Sequence, residues 1–242
     1  MGPNFLKSFA RHFLSFIFPP LCVRCGLRLK NEGMLCESCR GQIQMLVPPY
    51  CFRCGQALFS SLCACSIEWP FVFSMVRALS PYNLIMQDLI RLFKYEKFSR
   101  LGFLLAELLG QVVDKKFFEK VDFITTVPLH HSRLRERGYN QSQLIGEILA
   151  QKMRIPFLSF LLKRRRKTIS QTKFNRQDRK KNMDGVFQIS KKGREILRKF
   201  QQGTVLLVDD VITTGATLNA CAKILLEDGA VGEVRVAVLA RA

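Results

Sequence analysis

Eight of the nine cysteines fall between positions 22 and 65, and their spacing limits the fold more than any other feature of the chain. The order is Cys22-x2-Cys25-x10-Cys36-x2-Cys39, then Cys51-x2-Cys54-x8-Cys63-x-Cys65. A C-x-x-C turn aims two thiolates at one point, and two such turns make the tetrahedral sulfur shell that zinc prefers. Gly26 and Gly55 each follow the second Cys of a turn, where a tight bend is expected and a residue without Cβ serves best. The tandem pattern predicts a small double zinc ribbon over residues 22–70, holding two zinc ions. Four thiolates per ion leave no open coordination position, so both metals are structural and their binding free energy is folding free energy. Consecutive pairing of the turns is preferred, but the spacing also admits interleaved pairing. Cys221 falls on the apolar face of a helix and reads as a buried structural thiol.

A chain of 242 residues suits one mid-sized domain with a small module attached. At 48% hydrophobic and 24% charged residues it can bury a sizeable core. Residues 1–21 form an expected N-terminal amphipathic helix with Phe5, Phe9, Phe13 and Phe16 along one face, ended by Pro19-Pro20. That helix either docks on the main domain or lies on a membrane surface, although two cationic groups are few for the second role. No stretch reaches the roughly 18 to 20 apolar residues of a membrane span, so no integral span is expected. No small-residue cleavage site follows the apolar run. The expected compartment is the cytoplasm, with the inner membrane face as a second option. Reducing conditions there favour metal over disulfides.

Beyond a linker at 66–70, apolar runs alternate with helical periodicity. Strands are expected at 73–79, 121–127, 186–189, 204–208 and 233–239. After a turn at Ser80-Pro81-Tyr82-Asn83, a helix with Ile85, Leu89, Leu92 and Phe93 on one face is expected, then helices near 101–113 and at 141–153, and another carries Leu218, Cys221, Ala222 and Leu225 at i, i+3, i+4 and i+7. This alternation predicts an α/β domain over 71–242, a mostly parallel sheet flanked by helices. Residues 163–183 are basic with little apolar periodicity and are expected to form a mobile loop.

The most informative run is Val205-Leu206-Leu207-Val208-Asp209-Asp210-Val211-Ile212-Thr213-Thr214-Gly215-Ala216-Thr217. An apolar strand delivers two carboxylates at its carboxyl end, and a small hydroxyl-rich loop then opens a helix. Backbone N–H groups at a helix start bind phosphate, and paired carboxylates suit the donors of ribose hydroxyls. Ligands of open α/β sheets lie at strand carboxyl ends. The run lacks the Gly-Lys-Ser/Thr of a Walker A loop and the G-x-G-x-x-G of a dinucleotide site.

This run resembles the phosphoribosyl pyrophosphate (PRPP) signature of type I phosphoribosyltransferases. A second run, Val127-Pro128-Leu129-His130-His131-Ser132-Arg133-Leu134-Arg135-Glu136-Arg137-Gly138-Tyr139-Asn140-Gln141, resembles the pyrophosphate-loop signature of the ComF family of competence proteins. Gln171 and residues 179–187 are similar to that family's flexible loop. With the double ribbon in front, the resemblance covers nearly the entire chain. Two departures stand out: Cys63-Ala64-Cys65 replaces the usual final C-x-x-C, and Ser170-Gln171-Thr172 replaces a commoner Pro-Gln context.

The resemblance implies a PRPP-like ligand bound with magnesium. Asp209 and Asp210 would hold the ribose as the catalytic pair. Thr213, Thr214, Gly215, Ala216 and Thr217 would cradle the 5′-phosphate, and Arg137 and Gly138 would lie near the pyrophosphate. His130 and His131 are expected to face solvent or make hydrogen bonds. A transferase of this class needs positioning and charge neutralisation, not a covalent nucleophile.

The net charge of +19 points to a polyanionic partner. Residues 163–199 hold 15 Lys and Arg against 3 acids, whereas 200–242 hold 3 against 5. Lys163, Arg164, Arg165, Arg166 and Lys167 head the basic block. Three readings stay open: a solvated lid, a lid that meets pyrophosphate, and a site for single-stranded DNA. Charge supplies salt-dependent affinity for a phosphate backbone, but only Phe174 adds an aromatic platform inside 163–183. Family resemblance implies a role in natural transformation, in which incoming single-stranded DNA enters the cytoplasm. The ribbon would then dock a competence helicase or a recombination-loading protein. The rival readings are a phosphoribosyltransferase with an unnamed acceptor, and a scaffold that keeps only the fold.

Overall fold

The computed structural model describes residues 19–31, 33–58, 63, 65, 71–95, 98–113, 115–165 and 185–242. The helix expected before Pro19, the linker at 66–70 and most of the basic loop lie outside the described residues. The chain divides into two compact units, Met1–Gln44 and Met45–Ala242. The dividing line therefore passes between the two cysteine sets. The boundary expected from motifs at 70/71 separates sequence patterns, whereas packing joins the second ribbon to the sheet.

The first unit holds the turn of Cys22 and Cys25 and the short helix α1 (Glu37–Gly41). The Sγ of Cys36 caps that helix by accepting from the Cys39 N–H at 3.4 Å. The first turn of each ribbon has the same backbone plan. Gly26 donates to Cys22 and Gly55 to Cys51, both glycines at φ +73. Antiparallel bridges Leu21↔Arg28 and Tyr50↔Ala57 close the two turns. A side chain at that φ would be strained, which explains the glycine at each place.

The second unit is built on β1 (Met75–Pro81), α2 (Leu84–Phe93), α3 (Leu101–Val112), α4 (Lys115–Phe118), β2 (Val121–Thr126), α5 (His131–Arg137), α6 (Gln141–Met153), β3 (Leu162–Arg164), β4 (Phe187–Ile189), α7 (Lys191–Leu197), β5 (Gly203–Ile212), α8 (Ala216–Glu227) and β6 (Val231–Arg241). Four strands form one sheet in the order β1-β6-β5-β2, parallel throughout. Strands β3 and β4 make a separate antiparallel pair.

The central strands are buried on both faces, so β5 reads Val205-Leu206-Leu207-Val208 without polar alternation. Val205 and Leu207 share an apolar cluster with Leu218, Cys221, Ala222 and Leu225 of α8. Cys221 is thus a buried core thiol, as its helical position implied. Helix α6 packs on β2 and β5, and α3 packs on α6 and β1. The outer edge of β1 is also covered: Val76 donates to Phe52 and Leu46 to Leu79, both at 2.8 Å. Buried Arg77 lies 4.5 Å from the ring centre of Tyr50, 4.7 Å from Phe52 and 5.1 Å from Phe117, so cation–π contacts lock the second ribbon against the strand.

The sequence expectation fails at the start of the basic loop. Residues 163–165 are ordered: Lys163 and Arg164 belong to β3, and Arg165 N–H donates to Val186 at 2.7 Å. Backbone pairing with β4 supplies the order that side-chain periodicity did not announce.

The cysteine Sγ atoms gather as two consecutive sets, Cys22, Cys25, Cys36, Cys39 and Cys51, Cys54, Cys63, Cys65, with all ligand atoms of a set within 4.8 Å of one another. Interleaved pairing is therefore excluded. Separations of 3.7 Å for Cys25–Cys36 and 3.6 Å for Cys51–Cys65 and Cys54–Cys63 match the sulfur–sulfur edge of about 3.8 Å in a tetrahedron with Zn–S near 2.3 Å. The Cys-x-Cys departure at Cys63 and Cys65 leaves that geometry intact. Burial pushes Cys39 up to about 12 and Cys54 up to about 11, whereas backbone N–H donors overcome burial to bring Cys22 down to about 6 and to lower Cys51, so a cation is what would let all four thiols of a set ionise together. The donor sets fit structural zinc. Elemental analysis should find about two zinc ions per chain, and Cys54→Ser should leave about one with a lowered melting temperature. Two ions retained by that variant would contradict the assignment.

Candidate functional site

Strand β5 carries Asp209 and Asp210 near its carboxyl end and runs on to Ile212, after which the chain turns through Thr213, Thr214 and Gly215 into α8. Gly215 is the N-cap at φ +72. A Cβ there would come within 2.5 Å of the Phe71 ring, so both the backbone angle and the packing require glycine. The Thr214 hydroxyl accepts from Ala216 N–H at 3.4 Å. Gly215, as N-cap, has no side chain of its own to cap the helix, which leaves the backbone donors beyond Ala216 for an anion. Ala216 and Thr217 form its first turn.

The second motif is folded against this strand end. Val127, just after β2, donates to Val208 at 3.0 Å, and Asn140 Nδ2 donates to Val127 at 3.2 Å. Asn140 also caps α6, its Oδ1 accepting from Ser142 N–H at 3.1 Å. Arg137 ends α5 and donates to Gln141 Oε1 at 2.9 Å. Gly138 closes that helix at φ 78. The Tyr139 hydroxyl donates to the Phe93 carbonyl, and the two rings lie 5.7 Å apart. His130 caps α5 through Nδ1, which accepts from Ser132 N–H at 3.2 Å; this matches the hydrogen-bonded role expected for it. His131 is the exposed first residue of α5.

Two site residues escaped sequence reasoning. Ser142, buried in the first turn of α6, donates through Oγ to Asp209 Oδ1 at 2.9 Å. Lys94, just past α2, sits 3.7 Å from Asp210 Oδ2 with both side chains partly buried. Ser142 stands one residue past the recognisable motif, and a caps-rich helix start is the signal that would have found it. Lys94 carries no local signal, because its partner lies 116 positions away in the chain.

Burial pushes the Asp209 carboxyl up to about 7; the adjacent Asp210 charge adds to the rise, while Asp210 N–H, Ser142 and Lys94 oppose it. Arg164 is partly buried, and its guanidinium lies 5.5 Å from the Phe187 ring centre; burial lowers its pKa, and the charges of Cys221 and Asp209 oppose that. Lys163 and Arg165, on either side, are exposed. Arg166 and Lys167 lie outside the described residues. The structure thus brings Asp209, Asp210, the 213–217 loop and the 137–141 segment together, and it separates Arg164 from its exposed basic neighbours.

A carboxyl raised from 3.8 to about 7 binds its proton more tightly in the folded chain than in the unfolded one. Its ionisation therefore costs stability progressively as pH rises from about 4 to 7, and the cost is full above 7. Asp209→Asn should raise the unfolding free energy at pH 8 by on the order of 1–2 kcal/mol after solvent screening, and by less at pH 5. An equal effect at both values in denaturant melts would contradict the shift.

Residues 140–242 match the phosphoribosyl transferase domain, and residues 13–66 match the double zinc ribbon domain. Competence protein F of Haemophilus influenzae is 34% identical over 227 residues, covering 91% of this chain and 96% of that protein. DNA utilization protein YhgH of Salmonella typhimurium is 29% identical, covering 88% and 93%. Competence protein ComFC of Streptococcus pneumoniae is 28% identical, covering 86% and 94%. No helix among the described residues is long and apolar enough to cross a membrane. Matched along nearly its whole length, ribbons and sheet together, the chain belongs to the ComF family of competence proteins.

Proposed function

We propose that the chain serves natural transformation, the uptake of DNA, by coupling a PRPP-like ligand site to a surface for single-stranded DNA. The observation that carries the ligand reading is the meeting of both motifs at one strand end, where Asp209 and Asp210 stand beside Lys94, Ser142 and the open start of α8. The similar proteins, competence protein F and DNA utilization protein YhgH, support the role in DNA uptake.

In this reading the carboxylates of Asp209 and Asp210 accept hydrogen bonds from the ribose hydroxyls. Backbone N–H groups of the 213–217 loop, with the Thr213, Thr214 and Thr217 hydroxyls, receive the 5′-phosphate. Arg137 and the Gly138 backbone lie toward the pyrophosphate. Magnesium, arriving with the ligand, neutralises pyrophosphate charge. Lys94 stands against the Asp210 carboxylate until ligand arrives, and Ser142 fixes the orientation of Asp209. Arg164 adds a cation on the Asp209 side, so its role is electrostatic in the pocket, while exposed Lys163 and Arg165 begin the DNA-contacting face with Arg166 and Lys167. The alternative, transfer of phosphoribose to an acceptor, draws on the same carboxylate pair and differs by releasing pyrophosphate when the acceptor is supplied.

Calorimetric titration of PRPP with magnesium into zinc-loaded protein tests the ligand reading. Binding is expected, with at least a tenfold loss in Asp209→Asn/Asp210→Asn; a wild type without binding would overturn it. Because protonation of Asp209 removes its charge and one of its acceptor positions, affinity should fall as pH drops through about 7, by at most about tenfold per unit below it. Fluorescence anisotropy with a labelled oligonucleotide tests the DNA reading. Affinity should fall steeply with salt and drop on alanine substitution of residues 163–167. Salt-independent binding, or binding unchanged by those substitutions, would contradict it.

A further inference from the structure

The second ribbon shares a set of contacts with the 213–217 loop that neither sequence motif explains. Arg241, at the end of β6, donates through Nε to the Cys54 carbonyl at 3.0 Å and through one terminal nitrogen to the Thr213 carbonyl at 2.8 Å. One planar guanidinium thus spans a metal-ligand residue and the first residue of the loop. Arg53, inside the same C-x-x-C turn, donates to the Phe71 carbonyl at 3.3 Å. The Phe71 ring packs where a Gly215 side chain would stand and stacks on Phe73 with centroids 4.6 Å apart. Val72 N–H donates to Asn219 Oδ1 at 2.8 Å, and Asn219 N–H donates to Gly215 at 2.8 Å. Cys54, Cys65, Phe71 and Leu218 belong to one apolar cluster.

We propose that the metal knuckle of Cys51, Cys54, Cys63 and Cys65 positions the 213–217 loop, with Arg241 as the connecting positioning residue, so that metal and anionic ligand stabilise one another. The inference rests on the PRPP-type reading of the loop. Its physical basis is that the Cys54 carbonyl belongs to the turn whose shape the metal sets. If the turn opens, Arg241 loses its anchor on the ribbon and Phe71 loses the Arg53 bond, and the loop's φ +72 bend is no longer buttressed. Coupling between two sites is reciprocal, so a ligand on the loop must tighten the metal site by the same factor that metal tightens the loop. The first knuckle, Cys22, Cys25, Cys36 and Cys39, belongs to the other compact unit and serves as an internal control.

The test uses the full-length, zinc-loaded protein in excess chelator, with and without saturating PRPP and magnesium. Pulse alkylation followed by peptide mass mapping reads the exposure of each cysteine set in the same molecule. PRPP should slow alkylation of Cys51, Cys54, Cys63 and Cys65 by about fivefold or more and leave the first set unchanged. In Arg241→Gln the protection should vanish while both zinc ions are still bound at the outset. Arg241→Lys keeps the charge but replaces the rigid planar fork, whose separate Nε and Nη donors meet the Cys54 and Thr213 carbonyls, by one compact ammonium, so most of the protection should be lost there too. Equal alkylation with and without PRPP, in wild type that binds PRPP by calorimetry, would overturn the coupling and leave the ligand site standing. Wild type that binds no PRPP would overturn both.

Discussion

Two adjacent carboxylates at the end of a buried strand create an electrostatic problem, and much of the second unit is arranged around it. Asp209 and Asp210 repel one another where burial already disfavours charge. The surroundings answer with Ser142 and the Asp210 N–H on Asp209, and Lys94 on Asp210. Each partner comes from a different part of the chain, so the parallel sheet order and the placement of α2 and α6 are needed before the pair can be tolerated. A carboxyl held near the midpoint of titration at neutral pH is costly for stability. A ligand presenting hydroxyl donors and a metal-bound pyrophosphate would relieve that cost, which is how a strained site comes to favour its ligand.

The ribbons carry a different constraint. Without metal, four thiols crowded within 4.8 Å of one another cannot all carry charge, so each knuckle has little reason to hold its turn. The second knuckle does more than fold itself. Through Phe52 and Leu46 it covers the outer edge of β1, an unpaired strand edge that would otherwise invite association. Arg77, enclosed by three aromatic rings, fixes that cover from the strand side. Half of what looks like one N-terminal module is therefore part of the domain that bears the site.

Much of this is legible in the sequence. The unbroken Val205-to-Val208 run announces a strand buried on both faces, and the small residues after it announce a loop that opens a helix. Helix α6 was readable to its ends because Ile145, Leu149 and Ala150 face inward at helical spacing. Helix α5 was not, because none of its residues is buried and periodicity has nothing to report. Strand β3 was hidden for a similar reason: Leu162 is its one buried residue, and its order comes from backbone pairing with β4. The merging of the second ribbon with the sheet rests on backbone pairs more than twenty positions apart, which no local pattern encodes. Lys94 and Arg241 look like ordinary surface cations in sequence and acquire roles only from partners brought close by the fold.

The measurement that bears most directly on this account is a crystal structure of the zinc-loaded protein grown with PRPP and magnesium. The account predicts the 5′-phosphate against the backbone of the 213–217 loop and the ribose hydroxyls on Asp209 and Asp210, with Ser142 and Lys94 still on the carboxylates. A ligand bound elsewhere, or its phosphate away from the start of α8, would contradict it.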